Sequence, residues 1–121
     1  MVEVLCDTSF LIHIANNRIK NISTLDTDIG NIQFVVPDTV VAELEQLSQN
    51  PAKREAAIST LNYIKRFKII QMGGTFADSQ FISFVQKHGG TVATMDRELK
   101  QQIKKIGGSV LSISNNKIIL E

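Results

Sequence analysis

This chain of 121 residues predicts a three-layer α/β/α domain built on a mainly parallel five-stranded sheet. Short apolar runs alternate with longer stretches of helical periodicity in the order β-α-β-α-α-β-α-β-α-β. Such alternation argues for parallel strands joined by helical crossovers. Two of the apolar runs, Val2 to Cys6 and Thr91 to Met95, end directly on an aspartate, Asp7 and Asp96. Open α/β sheets gather ligands at the carboxyl ends of their strands, near a switch in strand order, so these aspartates mark the edge to search. The length suits one core, and a single domain over residues 1–121 is expected.

Each element has a local reason. Val2 to Cys6 is a short buried strand, and Thr8 or Ser9 can cap the helix through Phe10 to Ala15. Asn16 to Asn31 is polar and turn-rich, with a short helix expected around Ile22 to Leu25. Gln33 to Val36 is the second strand, stopped by Pro37. Asp38 or Thr39 then caps a helix whose Val40, Val41, Leu44 and Leu47 form an apolar stripe. Pro51 opens the next helix at its first turn, and Ala56, Ala57, Leu61 and Ile64 face inward. Phe67 to Ile70 is a third strand and Gly73-Gly74 a turn. Ala77 to Lys87 is helical, with Phe81, Phe84 and Val85 inward, ending at His88-Gly89-Gly90. Thr91 to Met95 is the fourth strand. Asp96 caps a helix burying Leu99, Ile103 and Ile106, closed by Gly107-Gly108. Ser109 to Ile113 is the fifth strand, and Asn115-Asn116 can turn it into a hairpin with Lys117 to Leu120.

Composition excludes several classes. With 43% hydrophobic and 21% charged residues the chain is ordinary for a soluble globular domain. No apolar stretch approaches the roughly 18 residues that span a membrane, and no signal peptide is evident, so a cytoplasmic protein without membrane partners is expected. Cys6 is the single cysteine, which excludes an internal disulfide and a multi-cysteine zinc site. It should be buried and inert. The net charge of +1 is not that of a polycation, so local distribution matters more. Lys53, Arg54, Lys65, Arg66 and Lys68 mark one basic region, and Arg97, Lys100, Lys104 and Lys105 another. A basic rim around an acidic centre suits phosphodiester binding, although solvated helices carry lysine routinely.

The candidate site is acidic. Asp7, Glu43, Asp78 and Asp96 all fall where strand carboxyl ends and helix amino ends share one edge. Each has a structural alternative: Asp7 and Asp96 are good caps, Asp78 meets the dipole of its helix, and Glu43 lies beside an apolar stripe. Together they make a pocket of oxygen ligands, for which Mg²⁺ or Mn²⁺ is the natural counter-ion. That combination reads as a metal-dependent nuclease. His13 reads as packing or surface, and His88 as a helix-end residue; neither has a partner histidine at metal spacing.

Four segments, Asp7-Thr8-Ser9-Phe10-Leu11-Ile12, Pro37-Asp38-Thr39-Val40-Val41-Ala42-Glu43-Leu44, Ala77-Asp78 and Val92-Ala93-Thr94-Met95-Asp96-Arg97-Glu98-Leu99, resemble the successive signatures of a PIN domain. The tail Gly107 to Asn115 resembles the branch holding ribosomal RNA processing nucleases and their compact archaeal relatives. The resemblance implies a mainly parallel five-stranded sheet and an endoribonuclease using Mg²⁺ or Mn²⁺. It implies that Asp7, Glu43, Asp78 and Asp96 are the catalytic, metal-binding carboxylates, and that the Ser9 and Thr94 hydroxyls order the site. Ser79 departs from the pattern, because close relatives often carry a second acid there.

Arg97, Lys100 and Lys104 share a helical face and are candidate RNA contacts. The leading expectation is an endoribonuclease acting on RNA, with ribosomal RNA precursor as substrate. A toxin ribonuclease of a toxin–antitoxin pair and a non-cleaving RNA-binding or assembly module are the alternatives. A receiver-like signalling domain lacks its phosphoacceptor and lysine pattern. Partners beyond RNA are a second copy in a homodimer, or a protein such as a ribosome assembly factor or antitoxin meeting residues 16–31.

Overall fold

The computed structural model describes residues 2–20, 32–72 and 78–121, with the side chains of Val2 and Asp78 left aside. The expected short helix around Ile22 to Leu25 and the Gly73-Gly74 turn lie outside these residues. In chain order the elements are β1 (Val2–Cys6), α1 (Thr8–Asn16), β2 (Ile32–Pro37), α2 (Asp38–Leu47), α3 (Arg54–Tyr63), a 3₁₀ turn (Ile64–Arg66), β3 (Lys68–Ile70), α4 (Asp78–His88), β4 (Thr91–Ala93), α5 (Arg97–Lys105), β5 (Ser109–Ser114) and β6 (Lys117–Leu120).

Among the described residues the strands form one six-stranded sheet in the order β3-β2-β1-β4-β5-β6. Five strands run parallel, and β6 returns antiparallel along β5. That sixth strand comes from the Asn115-Asn116 hairpin. Both residues sit in the left-handed region, at φ 53° and 58°, which a two-residue turn matched to strand twist requires and which asparagine tolerates. Right-handed crossovers place α1, α2 and α3 on one face and α4 and α5 on the other. The packing agrees: α1 and α2 each lie against α3, and α4 lies against α5.

The central strands are apolar because helices cover both sheet faces. Val4, Leu5, Val35, Val36, Val92, Ala93, Val110 and Leu111 are all buried. A chain of rings, Phe10 to Phe34 (5.8 Å between centroids), Phe34 to Phe67 (5.3 Å) and Phe67 to Tyr63 (5.6 Å), joins α1 to the end of α3. Cys6 is fully buried, and its thiol donates to the Val4 carbonyl at 3.6 Å. Burial first, and the charge of Asp7 second, push that thiol well above its usual range, so it stays protonated and unreactive.

Several boundaries differ from the expectations. The helix near Pro51 begins at Arg54, because residues 51–53 form a turn. Neither Asp38 nor Thr39 caps α2: Pro37 holds that position, and Asp38 is the first helical residue. At α1 the cap is Asp7 rather than Thr8 or Ser9, its Oδ1 accepting from the Phe10 amide at 2.9 Å. β4 ends at Ala93, not Met95, because side chains take over the backbone's partners beyond it. The Met95 amide donates to the Ser9 hydroxyl at 3.2 Å, and the Asp96 amide to the Thr94 hydroxyl at 3.0 Å.

Candidate metal-binding and catalytic site

The first crossover runs from β1 to β2 on one side, while β4, on the other side of β1, is reached from β3. The strand order therefore switches between β1 and β4. A crevice opens at such a point, outside the strand carboxyl ends. Asp7 leaves β1 there, and Thr94, Met95 and Asp96 leave β4. The Asp7 amide bonds the Ala93 carbonyl at 3.0 Å, holding the two exits together.

Asp7 is the centre of the arrangement. It is only 5% exposed, and an ionised carboxylate at that depth needs donors around it. Oδ1 accepts from the Phe10 amide (2.9 Å) and the Ser9 hydroxyl (2.8 Å), while Oδ2 accepts from the Thr94 hydroxyl. The α1 amino end adds a favourable partial positive charge. Ser9 and Thr94 each have a second bond, to the Met95 and Asp96 amides, so both hydroxyls fix the carboxylate relative to the β4 exit. Thr94 itself is fully buried, and its amide continues the sheet to Leu111 at 3.1 Å.

Glu43 lies one turn and a half into α2 rather than at its start. It reaches the site through Thr8, whose hydroxyl donates to Glu43 Oε2 at 2.8 Å. Asp96 is exposed and caps α5, with Oδ1 accepting from the Glu98 amide at 2.9 Å and the Leu99 amide at 3.3 Å. Asp78 is the first residue of α4, placed by its backbone position. Among the described residues no three histidine, cysteine or acidic side chains gather closely enough to hold a metal ion. The donors that Asp7, Glu43 and Asp96 offer are nonetheless all carboxylate oxygens, a set that suits a hard cation retaining much of its water.

The structure also brings in residues that the sequence reading passed over. Thr8, a cap candidate by sequence, orients Glu43 instead. Asp38 Oδ1 accepts from its neighbour Thr39 (2.9 Å) and from the Met72 amide (3.1 Å), tying the start of α2 to the exit of β3. The signal for both was their place beside strand ends. The proposed RNA contacts divide. Arg97 is exposed, whereas Lys100 and Lys104 lie 3.1 and 3.4 Å from the Glu121 carboxylate.

Comparison with known proteins agrees with this architecture. A family model described as a PIN like domain matches residues 4–116. The chain belongs to the PIN-like domain family. Among curated proteins it is 32% identical over 124 residues to "rRNA-processing protein fcf1" of Schizosaccharomyces pombe, covering 98% of this chain and 62% of that protein. It is 27% identical over 103 residues to "Ribonuclease VapC9" of Archaeoglobus fulgidus, covering 84% of this chain and 75% of that one. The chain thus spans about three fifths of the length of the fcf1-type relatives it matches. Among solved structures, "Structure of the PIN domain endonuclease Utp24" superposes with a TM-score of 0.79 at 34% identity, covering 98% of this chain and 90% of that one. A domain of a functionally unknown protein from Methanocaldococcus jannaschii shares the fold, with a TM-score of 0.66 over 94% of this chain and 92% of that one at 16% identity. No helix among the described residues is long and apolar enough to cross a membrane.

Proposed function

We propose that this PIN-like domain is a metal-dependent endoribonuclease that hydrolyses phosphodiester bonds in RNA, with ribosomal RNA precursor as its substrate. The observation that carries the reading is the buried Asp7 carboxylate at the switch between β1 and β4, held by the Ser9 and Thr94 hydroxyls. A purely structural cap would not need a second strand exit to orient it. The likeness to the endonuclease Utp24 and to ribonuclease VapC9 supports nuclease chemistry, and the longer match to the rRNA-processing protein fcf1 favours RNA processing over a toxin role.

Asp7, Glu43, Asp78 and Asp96 would hold Mg²⁺ or Mn²⁺. Such an ion, when bound, lowers the pKa of water and neutralises charge developing on the phosphate. The protein's own part is positioning. Thr94 and Ser9 keep both Asp7 oxygens in place, and Thr8 fixes the direction of Glu43. Asp96 stays anchored through Oδ1 by the α5 amides, and its Oδ2 is left to serve the cation. Carboxylates drawn together in one site would repel one another, which favours a cation there over neutral ligands. Arg97, Lys100 and Lys104 are proposed to steady the RNA backbone, with the Glu121 contacts giving way to phosphate.

Incubating the purified protein with end-labelled RNA and Mn²⁺, then with EDTA, tests the proposal. Cleavage that EDTA stops and that Asp7→Asn abolishes is the expected result. RNA that survives Mn²⁺ intact would leave a non-cleaving RNA-binding module.

A further inference from the structure

Away from the carboxylates, a cleft of about 510 Å³ opens between the end of α1 and the end of α3. Arg18, Lys20 and Arg66 line it together with Tyr63, Asn17 and Ile14. Arg18, Lys20 and Arg66 are exposed, and among the described residues no acidic side chain lines the cleft. Elsewhere among the described residues, Lys68 pairs with Glu3, and Lys100 and Lys104 pair with Glu121. Among the described residues, none of the cleft's three cations has a carboxylate at ion-pair distance. In a chain of net charge +1 this is a local concentration of unneutralised positive charge.

Arg66 is held in advance. Its Nε donates to the Tyr63 carbonyl at 3.1 Å, and its guanidinium lies 4.2 Å from the centroid of the Tyr63 ring. Tyr63 in turn meets the Phe67 ring edge-on, at 5.6 Å between centroids. The guanidinium is therefore held by one hydrogen bond and one cation–π contact, while Arg66 as a residue is exposed. Planar guanidinium groups accept stacked nucleobases, while neighbouring cations hold phosphates. The carboxyl end of α1 points a partial negative charge of about half a unit toward this region, which three full cations outweigh.

We infer that this cleft is a second RNA site, taking one single-stranded nucleotide with its base on Arg66 and its phosphates on Arg18 and Lys20. The inference rests on the RNA-directed reading above and adds where a strand is gripped outside the cleavage site. Helix α1 connects the two places. It starts beside Asp7 and ends at the cleft, and its nine residues span roughly 13 Å at 1.5 Å each. A strand cut at the carboxylates can reach the cleft with a few nucleotides to spare. The planar guanidinium favours nucleic acid over an acidic peptide, since carboxylates gain nothing from stacking.

The test is fluorescence anisotropy of the whole protein with a labelled single-stranded oligouridylate in EDTA, at several salt concentrations, so that binding is read without cleavage. Replacing both cations as Arg18→Ala with Lys20→Ala should raise Kd at least tenfold. The same variant should flatten the log Kd against log salt slope by about 1.4, because each phosphate contact on a single strand carries about 0.7. Arg66→Lys keeps the charge and loses the plane, so Kd should rise about tenfold with the slope unchanged. Unchanged Kd and slope in these variants would overturn the inference, as would a wild-type protein that does not bind the RNA. Poly-glutamate that displaces RNA from the wild type but does not bind the Arg18→Ala, Lys20→Ala variant would assign the cleft to an acidic protein and overturn it too. Failure of the nuclease reading looks different: no Mn²⁺-dependent cleavage, with these binding differences intact.

Discussion

The Thr94 hydroxyl donates to Oδ2 of Asp7, joining positions 87 residues apart in the chain. The Thr94 hydroxyl oxygen in turn accepts from the Asp96 amide at 3.0 Å. One hydroxyl thereby sets the separation of two carboxylate-bearing residues on either side of the strand-order switch. Three consecutive residues, Thr94, Met95 and Asp96, leave β4 with their backbone or side chains engaged around Asp7. A parallel sheet whose exits are cross-tied in this way gives its carboxylates little freedom to drift.

Thr94→Val tests that tie. Valine matches threonine in shape but removes the hydroxyl, leaving a buried Asp7 oxygen short of a donor and the Asp96 amide short of an acceptor. The expected cost is about 1–3 kcal/mol in urea unfolding. Cleavage should fall about 10- to 100-fold, the usual effect of losing a partner that orients a metal ligand. A variant with wild-type cleavage would show that Thr94 serves the fold alone.

Asp7→Asn separates charge from shape. Its carbonyl oxygen can still accept from the Phe10 amide and the Ser9 hydroxyl, and the Thr94 hydroxyl can turn to accept from the new amide. The melting temperature should therefore change little, while the heat of Mn²⁺ binding and RNA cleavage are both lost. Calorimetric titration of the two proteins, alongside thermal melts, checks both halves.

Thr8→Val acts on Glu43 instead. Thr8 is buried, and its hydroxyl donates to Glu43 Oε2 at 2.8 Å. Without it, Glu43 keeps its charge and loses its direction, so the Mn²⁺ concentration for half-maximal cleavage should rise about tenfold. Excess Mn²⁺ should restore most of the rate, a rescue that Asp7→Asn must not show.

The parallel core was legible because its strands are continuous apolar runs and its helices carry clear stripes. The α5 cap at Asp96 and the asparagine hairpin were readable from single residues whose chemistry leaves few other uses. What the sequence concealed are bonds that depend on tertiary neighbours. Thr8 and Asp38 looked like ordinary helix-start residues until the fold set Glu43 and the Met72 amide beside them. The early end of β4 was hidden for the same reason: Thr91 to Met95 has strand composition throughout, but Ser9 and Thr94 capture the amides of its last turn. The cleft cations were no more visible, since Arg18 and Arg66 lie 48 positions apart (66 − 18) and meet only through helix packing.

Glu121 supplies a pH-dependent clamp on α5. The Ser112 hydroxyl donates to its Oε2, and Lys100 and Lys104 approach at 3.1 and 3.4 Å. The hydroxyl first, and then Lys100, lower its carboxyl from 4.5 to about 2. Folding therefore favours the ionised form, and this contribution is complete above 4.5 and lost as pH falls from there toward about 2. Thermal melts of the wild type and Glu121→Gln across that interval should show a gap in Tm that is widest near neutrality and closes toward the acid end. Added salt should narrow the neutral gap by screening the partly exposed lysines. A gap that stays constant with pH would mean that neither the hydroxyl bond nor the lysines favour the ionised carboxylate in the fold, and that Glu121 contributes through packing alone.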